Sequence, residues 1–73
     1  MGVSYEKLRM MMAKHKIKGW MLREKTGISA TEAAKINKDV YMTMQSTEKI
    51  LKYLSQVSNK PMRVEDILTF IDD

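Results

Sequence analysis

The 73-residue sequence predicts an all-α domain of five short helices. Three observations lead there. Apolar residues recur at spacings of three and four through most of the chain, the period of an amphipathic helix. Glycine and proline together number only four, and the alternation expected of strands is weak. Turn-forming residues gather at a few places and cut the chain into helix-length segments. The helices are expected at about residues 5–15, 20–26, 30–38, 44–56 and 65–71, with no strand, in one domain spanning 1–73.

Ser4 is the expected cap of the first helix. Leu8, Met11, Met12 and His15 form its stripe, while Met10 points to solvent. Residues 14–19 break the pattern, with Ile17 as an inward anchor. The second helix carries Met21, Leu22 and Lys25 and ends at Gly27, which readily takes the left-handed conformation. Ser29-Ala30-Thr31-Glu32 reads as a capping box: the serine accepts from the Glu32 N–H and the glutamate reaches back to Ser29. This third helix fades at Lys38 and Asp39. After a loop, Thr43 caps a fourth helix whose inner stripe is Thr47, Ile50, Leu51 and Leu54. Asn59 and Pro61 mark the clearest turn. The last helix is expected to turn Ile67, Leu68 and Ile71 inward.

Composition narrows the function. No cysteine is present, so no disulfide or thiolate site staples the fold, which fits an intracellular, cytoplasmic location. One histidine cannot make a histidine metal cluster. No apolar run approaches the ~18 residues of a membrane span. The N-terminal stretch lacks a signal peptide's apolar core, and Glu6 stands where a myristoylation motif wants Ser or Thr. No nucleophile–base pair, apolar carboxylate pair or phosphate-cradling glycine loop appears, so neither an enzyme, a cofactor nor a small-molecule ligand is expected. Charge is uneven. Residues 1–38 hold nine Lys/Arg and three Glu, a balance of +6; residues 39–73 hold four Lys/Arg and six Asp/Glu, a balance of −2. A basic half suits a polyanion, although an uneven solvated surface would look the same.

The turn at Gly27 joins two helices through about three residues, the spacing of a helix-turn-helix. Ile28 and Ile36 then point inward together, with small Ala33 between them. The opposite face of the third helix reads Ala30, Thr31, Ala34, Lys35 and Lys38. Its side chains are short at the start and basic at the end, so it fits a major groove. Thr31 and Lys35 offer hydrogen bonds to base edges, Ala30 meets a thymine methyl, and Lys38 reaches phosphate.

On these residues, LREKTGISATEAAKI (residues 22–36) resembles the helix-turn-helix of the Cro/repressor-type (XRE, lambda-repressor-like) DNA-binding family. Flanking positions extend the likeness over about residues 4–71: Leu8, Met11 and Met12 before it, then Ile50, Leu54 and Asp66-Ile67-Leu68 after it. The resemblance implies a compact five-helix lambda-repressor-like domain that binds double-stranded DNA in the major groove. It implies base contacts from Ala30, Thr31 and Lys35. It implies backbone contacts from Lys38 and from Thr43, Met44 and Gln45 at the start of the fourth helix, where a helix N-terminus suits phosphate. Ser29, Ala34 and Lys18 complete the backbone-contacting set. Three departures stand out. Gly19 occupies a position where many members carry a phosphate-clamping glutamine. Ala33 replaces a larger aliphatic residue. Asp39 replaces the usual glycine and sets a negative charge near the phosphate-facing edge, which Lys38 offsets.

Plainer readings accompany several of these residues. A capping box and a Gly27 junction occur between helices of any function. Lys14, Lys16 and Lys18 either touch the DNA backbone or simply solvate a helix end and complement its dipole. Trp20 is expected as core or as a half-exposed cover. The apolar trio Tyr41, Met42 and Met44 in a loop invites a contact with a second subunit, so a DNA-assisted homodimer is an expected partner. The rival function is a helical protein-interaction module of the same shape, such as an antitoxin, inhibitor or adaptor.

Overall fold

Short local signals and one long-range pairing build the domain, seen here in a computed structural model that describes residues 2–72. In chain order its elements are strand β1 (Gly2–Ser4), helices α1 (Glu6–Lys14), α2 (Gly19–Thr26), α3 (Ala30–Lys38) and α4 (Met44–Ser58), a single 3-10 turn (Val64–Asp66) and strand β2 (Thr69–Ile71). Among the described residues four α-helices are present, not five.

The expected helix at 65–71 is replaced by the 3-10 turn and β2. β2 pairs antiparallel with β1, setting Gly2 opposite Ile71, Val3 opposite Phe70 and Ser4 opposite Thr69. Thr, Phe and Ile favour the extended chain, and a partner strand at the N-terminus completes their hydrogen bonds. The turn is closed by the Asp66 carboxylate, which accepts the Arg63 N–H at 2.9 Å. Ile67 and Leu68 are buried as expected, but Ile71 is exposed on the strand. The expectation of no strand fails for the same reason.

Ser4 is likewise part of β1 rather than the cap of α1. Tyr5 holds the cap position, and the Ser4 hydroxyl only accepts the Glu6 N–H at a long 3.3 Å. Leu8 on α1 is fully buried, while Met11 and Met12 pack half-buried against the core and Met10 faces solvent. The chain leaves α1 through Lys16 in a left-handed conformation (φ 57°), which turns Ile17 into the core. α4 runs two residues further than expected. It ends at Asn59, also left-handed, with Pro61 two residues beyond. Thr47, Ile50 and Leu54 on its inner face are buried and Leu51 packs beside them.

The core therefore joins all parts of the chain: Val3, Tyr5, Leu8, Ile17, Leu22, Ile28, Ile36, Met42, Ile50, Leu54, Ile67 and Leu68. Tyr5 brings a hydroxyl into it, and that oxygen accepts the Met42 N–H at 3.0 Å. Burial raises the Tyr5 hydroxyl pKa, so the group stays neutral. Among the described residues no buried side-chain polar atom lacks a partner.

Candidate nucleic-acid interface

Gly27 makes the geometry of the interface. Its φ of 78° lies in the left-handed region, and its N–H donates to the Arg23 carbonyl at 2.8 Å, closing α2. Thr26 helps from inside the turn, donating its hydroxyl to the Leu22 carbonyl at 2.6 Å. The chain then dips so that Ile28 is buried, and it re-emerges at Ser29 to start α3. Ile28 and Ile36 anchor α3 from behind, with Ala33 half-buried between them. The other side of α3 is open. Ala30, Thr31 and Lys38 are exposed and Ala34 is half-buried.

The expected capping box forms only in part. The Ser29 hydroxyl accepts the Glu32 N–H at 3.1 Å. The Glu32 carboxylate does not turn back to Ser29. Its Oε1 accepts the Thr43 N–H at 2.8 Å, and its Oε2 pairs with the Lys35 ammonium. The Lys35 contact, reinforced by the Thr43 N–H, holds the Glu32 pKa down to about 2. Lys35 is thus half-buried and ion-paired, unlike the exposed Lys38.

Thr43, Met44 and Gln45, all exposed, form the start of α4. The Thr43 hydroxyl accepts the Ser46 N–H at 3.1 Å, so one first-turn donor is satisfied. The backbone N–H groups of Met44 and Gln45 have no earlier helical carbonyl to reach and remain available to an anion. Lys18, exposed, precedes α2 in an extended conformation. Ser29 is exposed as well.

Asp39 departs from its expected role. Instead of facing phosphate, its Oδ1 accepts the Tyr5 N–H at 2.8 Å and an Arg9 guanidinium N–H at 2.9 Å. The Arg9 contact first, then the Tyr5 N–H, lowers the Asp39 pKa. Arg9, rather than Lys38, pairs with its charge. Trp20 is 57% exposed at the start of α2, so it is not core. The loop trio divides: Met42 is buried under Tyr5, whereas Tyr41 and Met44 are exposed. Sequence reasoning passed over Asn37. It is exposed on α3 seven residues after Ala30, beside Arg9 and Gly19 in a cleft. The helical period from Ala30 through Ala34 was the signal that could have found it.

The described residues contain no group of acidic, histidine or cysteine side chains that could hold a metal ion, and no helix is long and apolar enough to cross a membrane. Comparison with solved structures finds a crystal structure of the transcriptional regulator VanUg (form II) that superposes with a TM-score of 0.83 at 26% identity, covering 99% of this chain and 88% of that one. No curated protein sequence matches significantly. The sequence profile of the Cro/C1-type HTH DNA-binding domain matches residues 7–73, taking in α1, the α2–turn–α3 unit and everything after it. With nearly its whole length matched, the chain belongs to the Cro/C1-type helix-turn-helix DNA-binding domain family.

Proposed function

We propose that this chain is a sequence-specific regulator of transcription, a small repressor of the phage or mobile-element kind, working in the cytoplasm by occupying an operator. The observation that carries this reading is the outward face of α3. It presents small side chains ahead of an exposed lysine, while Ile28 and Ile36 fix the helix from behind. On this reading Ala30, Thr31 and Lys35 meet base edges. Ser29, Ala34, Lys38, Thr43, Met44, Gln45 and Lys18 meet the phosphate backbone. The free N–H groups opening α4 support the backbone role, because a helix N-terminus favours anions.

One such domain makes few base contacts, and two copies on half-sites about one helical turn apart would gain affinity. The proposed partner is therefore a second copy, assisted by DNA. Exposed Tyr41 and Phe70, whose rings lie 6.5 Å apart, with exposed Val40 beside them, offer an uncharged apolar patch for it. The same patch favours the alternative, a protein-interaction module.

Selection of bound duplexes from a random pool at about 150 mM salt tests the reading, since nonspecific attraction is then largely screened. A consensus is expected, palindromic if two copies bind. On that consensus Thr31→Ala should cost about 1–3 kcal/mol and relax one position. Lys38→Ala should weaken every duplex and flatten the log–log salt dependence by about 0.9. No enriched sequence, with binding to a protein that is indifferent to salt, would instead establish the interaction-module reading.

A further inference from the structure

We propose that Glu32 sets the specificity of the interface by positioning Lys35: it cancels the lysine's charge while leaving it N–H donors, which turns a phosphate-seeking cation into a donor committed to base edges. The proposal rests on the DNA-binding reading above.

An ordinary ion pair three residues apart on a helix is solvated, mobile and weak. This one is pinned at a third point. The Glu32 carboxylate uses its second oxygen on the Thr43 N–H at 2.8 Å, and Thr43 caps a different helix. Only 14% of the Glu32 side chain and 28% of the Lys35 side chain remain exposed. The pair therefore has one defined place, between the recognition helix and the start of α4.

Net charge and donor number do different work on DNA. Attraction to phosphate follows charge and releases counterions. Recognition of guanine O6 and N7 needs donors in the right position. An ammonium carries three N–H donors, and a single carboxylate oxygen leaves donors over. Lys35 paired to Glu32 thus loses its pull on phosphate but keeps its capacity to read a base. The carboxylate also lies beside the phosphate-accepting start of α4, where it lowers the positive potential offered to any duplex. Both effects cost affinity for random DNA and raise discrimination, a specificity obtained by suppressing wrong complexes.

The experiment measures affinity against salt for the full chain on a random-sequence duplex and on the selected consensus. It compares wild type, Glu32→Gln, Lys35→Ala and the double variant. Glutamine keeps an oxygen for the Thr43 N–H and removes the charge. Glu32→Gln should bind the random duplex several-fold tighter, steepen its log–log salt slope by about 0.9 and lower the consensus-to-random ratio. Lys35→Ala should leave the random-duplex slope unchanged in the wild-type background, yet remove the added 0.9 when Glu32 is glutamine. If Lys35→Ala flattens the random-duplex slope equally in both backgrounds, Lys35 was already a free cation and the proposal fails. It also fails if Glu32→Gln lowers thermal stability and weakens both duplexes alike with no change of slope, because Glu32 would then act on the fold alone. A wild-type chain that binds no duplex would remove the DNA reading itself, a separate result.

Discussion

Arg9 and Asp39 lie 30 residues apart in sequence and 2.9 Å apart in space. The same guanidinium nitrogen donates to the Ile36 carbonyl at 2.6 Å, and the same carboxylate oxygen accepts the Tyr5 N–H. Asp39 itself is left-handed (φ 54°), closing α3. One aspartate thus ends α3, receives the N–H at the start of α1 and ties the two together.

This arrangement predicts acid sensitivity. The folded state holds the Asp39 pKa below its ordinary 3.8 and the Glu32 pKa at about 2 rather than 4.5. Their stabilisation is therefore complete above the unfolded values and is lost as pH falls through the folded ones. Thermal melts followed by circular dichroism should show Tm dropping between pH 4.5 and 2. Asp39→Asn should melt below wild type at pH 7 and converge on it at the acid end. A gap between the two that stays constant across this range would mean that the Asp39 charge is not involved.

Ile36 is 4% exposed and is the buried anchor contributed by α3 itself. Ile36→Ala should destabilise the domain by about 2–5 kcal/mol through the cavity it leaves. Urea unfolding measures this directly, and a shift under half a kcal/mol would show that α3 does not dock through Ile36.

Gly27 and Gly19 should respond in opposite ways. A Cβ at either position meets nothing within 4 Å, so sterics with neighbours do not decide. Gly27 has φ 78°, and Gly27→Ala should cost about 1–2 kcal/mol for left-handed backbone alone. Gly19 begins α2 without a positive φ, and Gly19→Ala should be neutral or gain up to about 1 kcal/mol. Equal unfolding midpoints for the two variants would contradict this account of the turn.

The apolar patch predicts self-association. Phe70 is 63% exposed, and its ring contacts Tyr41 at the surface. Phe70→Lys should weaken dimerisation at least tenfold, equivalent to about 1.4 kcal/mol, while leaving Tm nearly unchanged. Sedimentation equilibrium with and without a two-half-site duplex checks both parts. An unaltered association constant would place the second copy elsewhere.

The helix-turn-helix was legible because its signals are local. Gly27 supplies a left-handed turn, Ser29 supplies a cap, and Ile28 and Ile36 share one helical face; each depends on neighbours within a few residues. Thr43 and Asn59 bracket α4 for the same reason. The apolar period alone could not assign the C-terminal segment. Ile67, Leu68 and Ile71 suit either a helix or a strand, and only the presence of Gly2–Ser4 alongside resolves the choice.

Side-chain partners followed the same division. Local rules sent Glu32 back to Ser29, and the family resemblance set Asp39 near the phosphate-facing edge, but folding brought the Thr43 N–H and Arg9 within reach of their carboxylates. The sequence by itself determined where α3 and α4 begin and how α2 turns into α3, because those choices are made by hydrogen bonds and dihedral preferences across four or five residues. Tertiary structure alone decided which strand closes the chain and which charges are spent inside it, because those depend on groups that sequence separates and packing brings together.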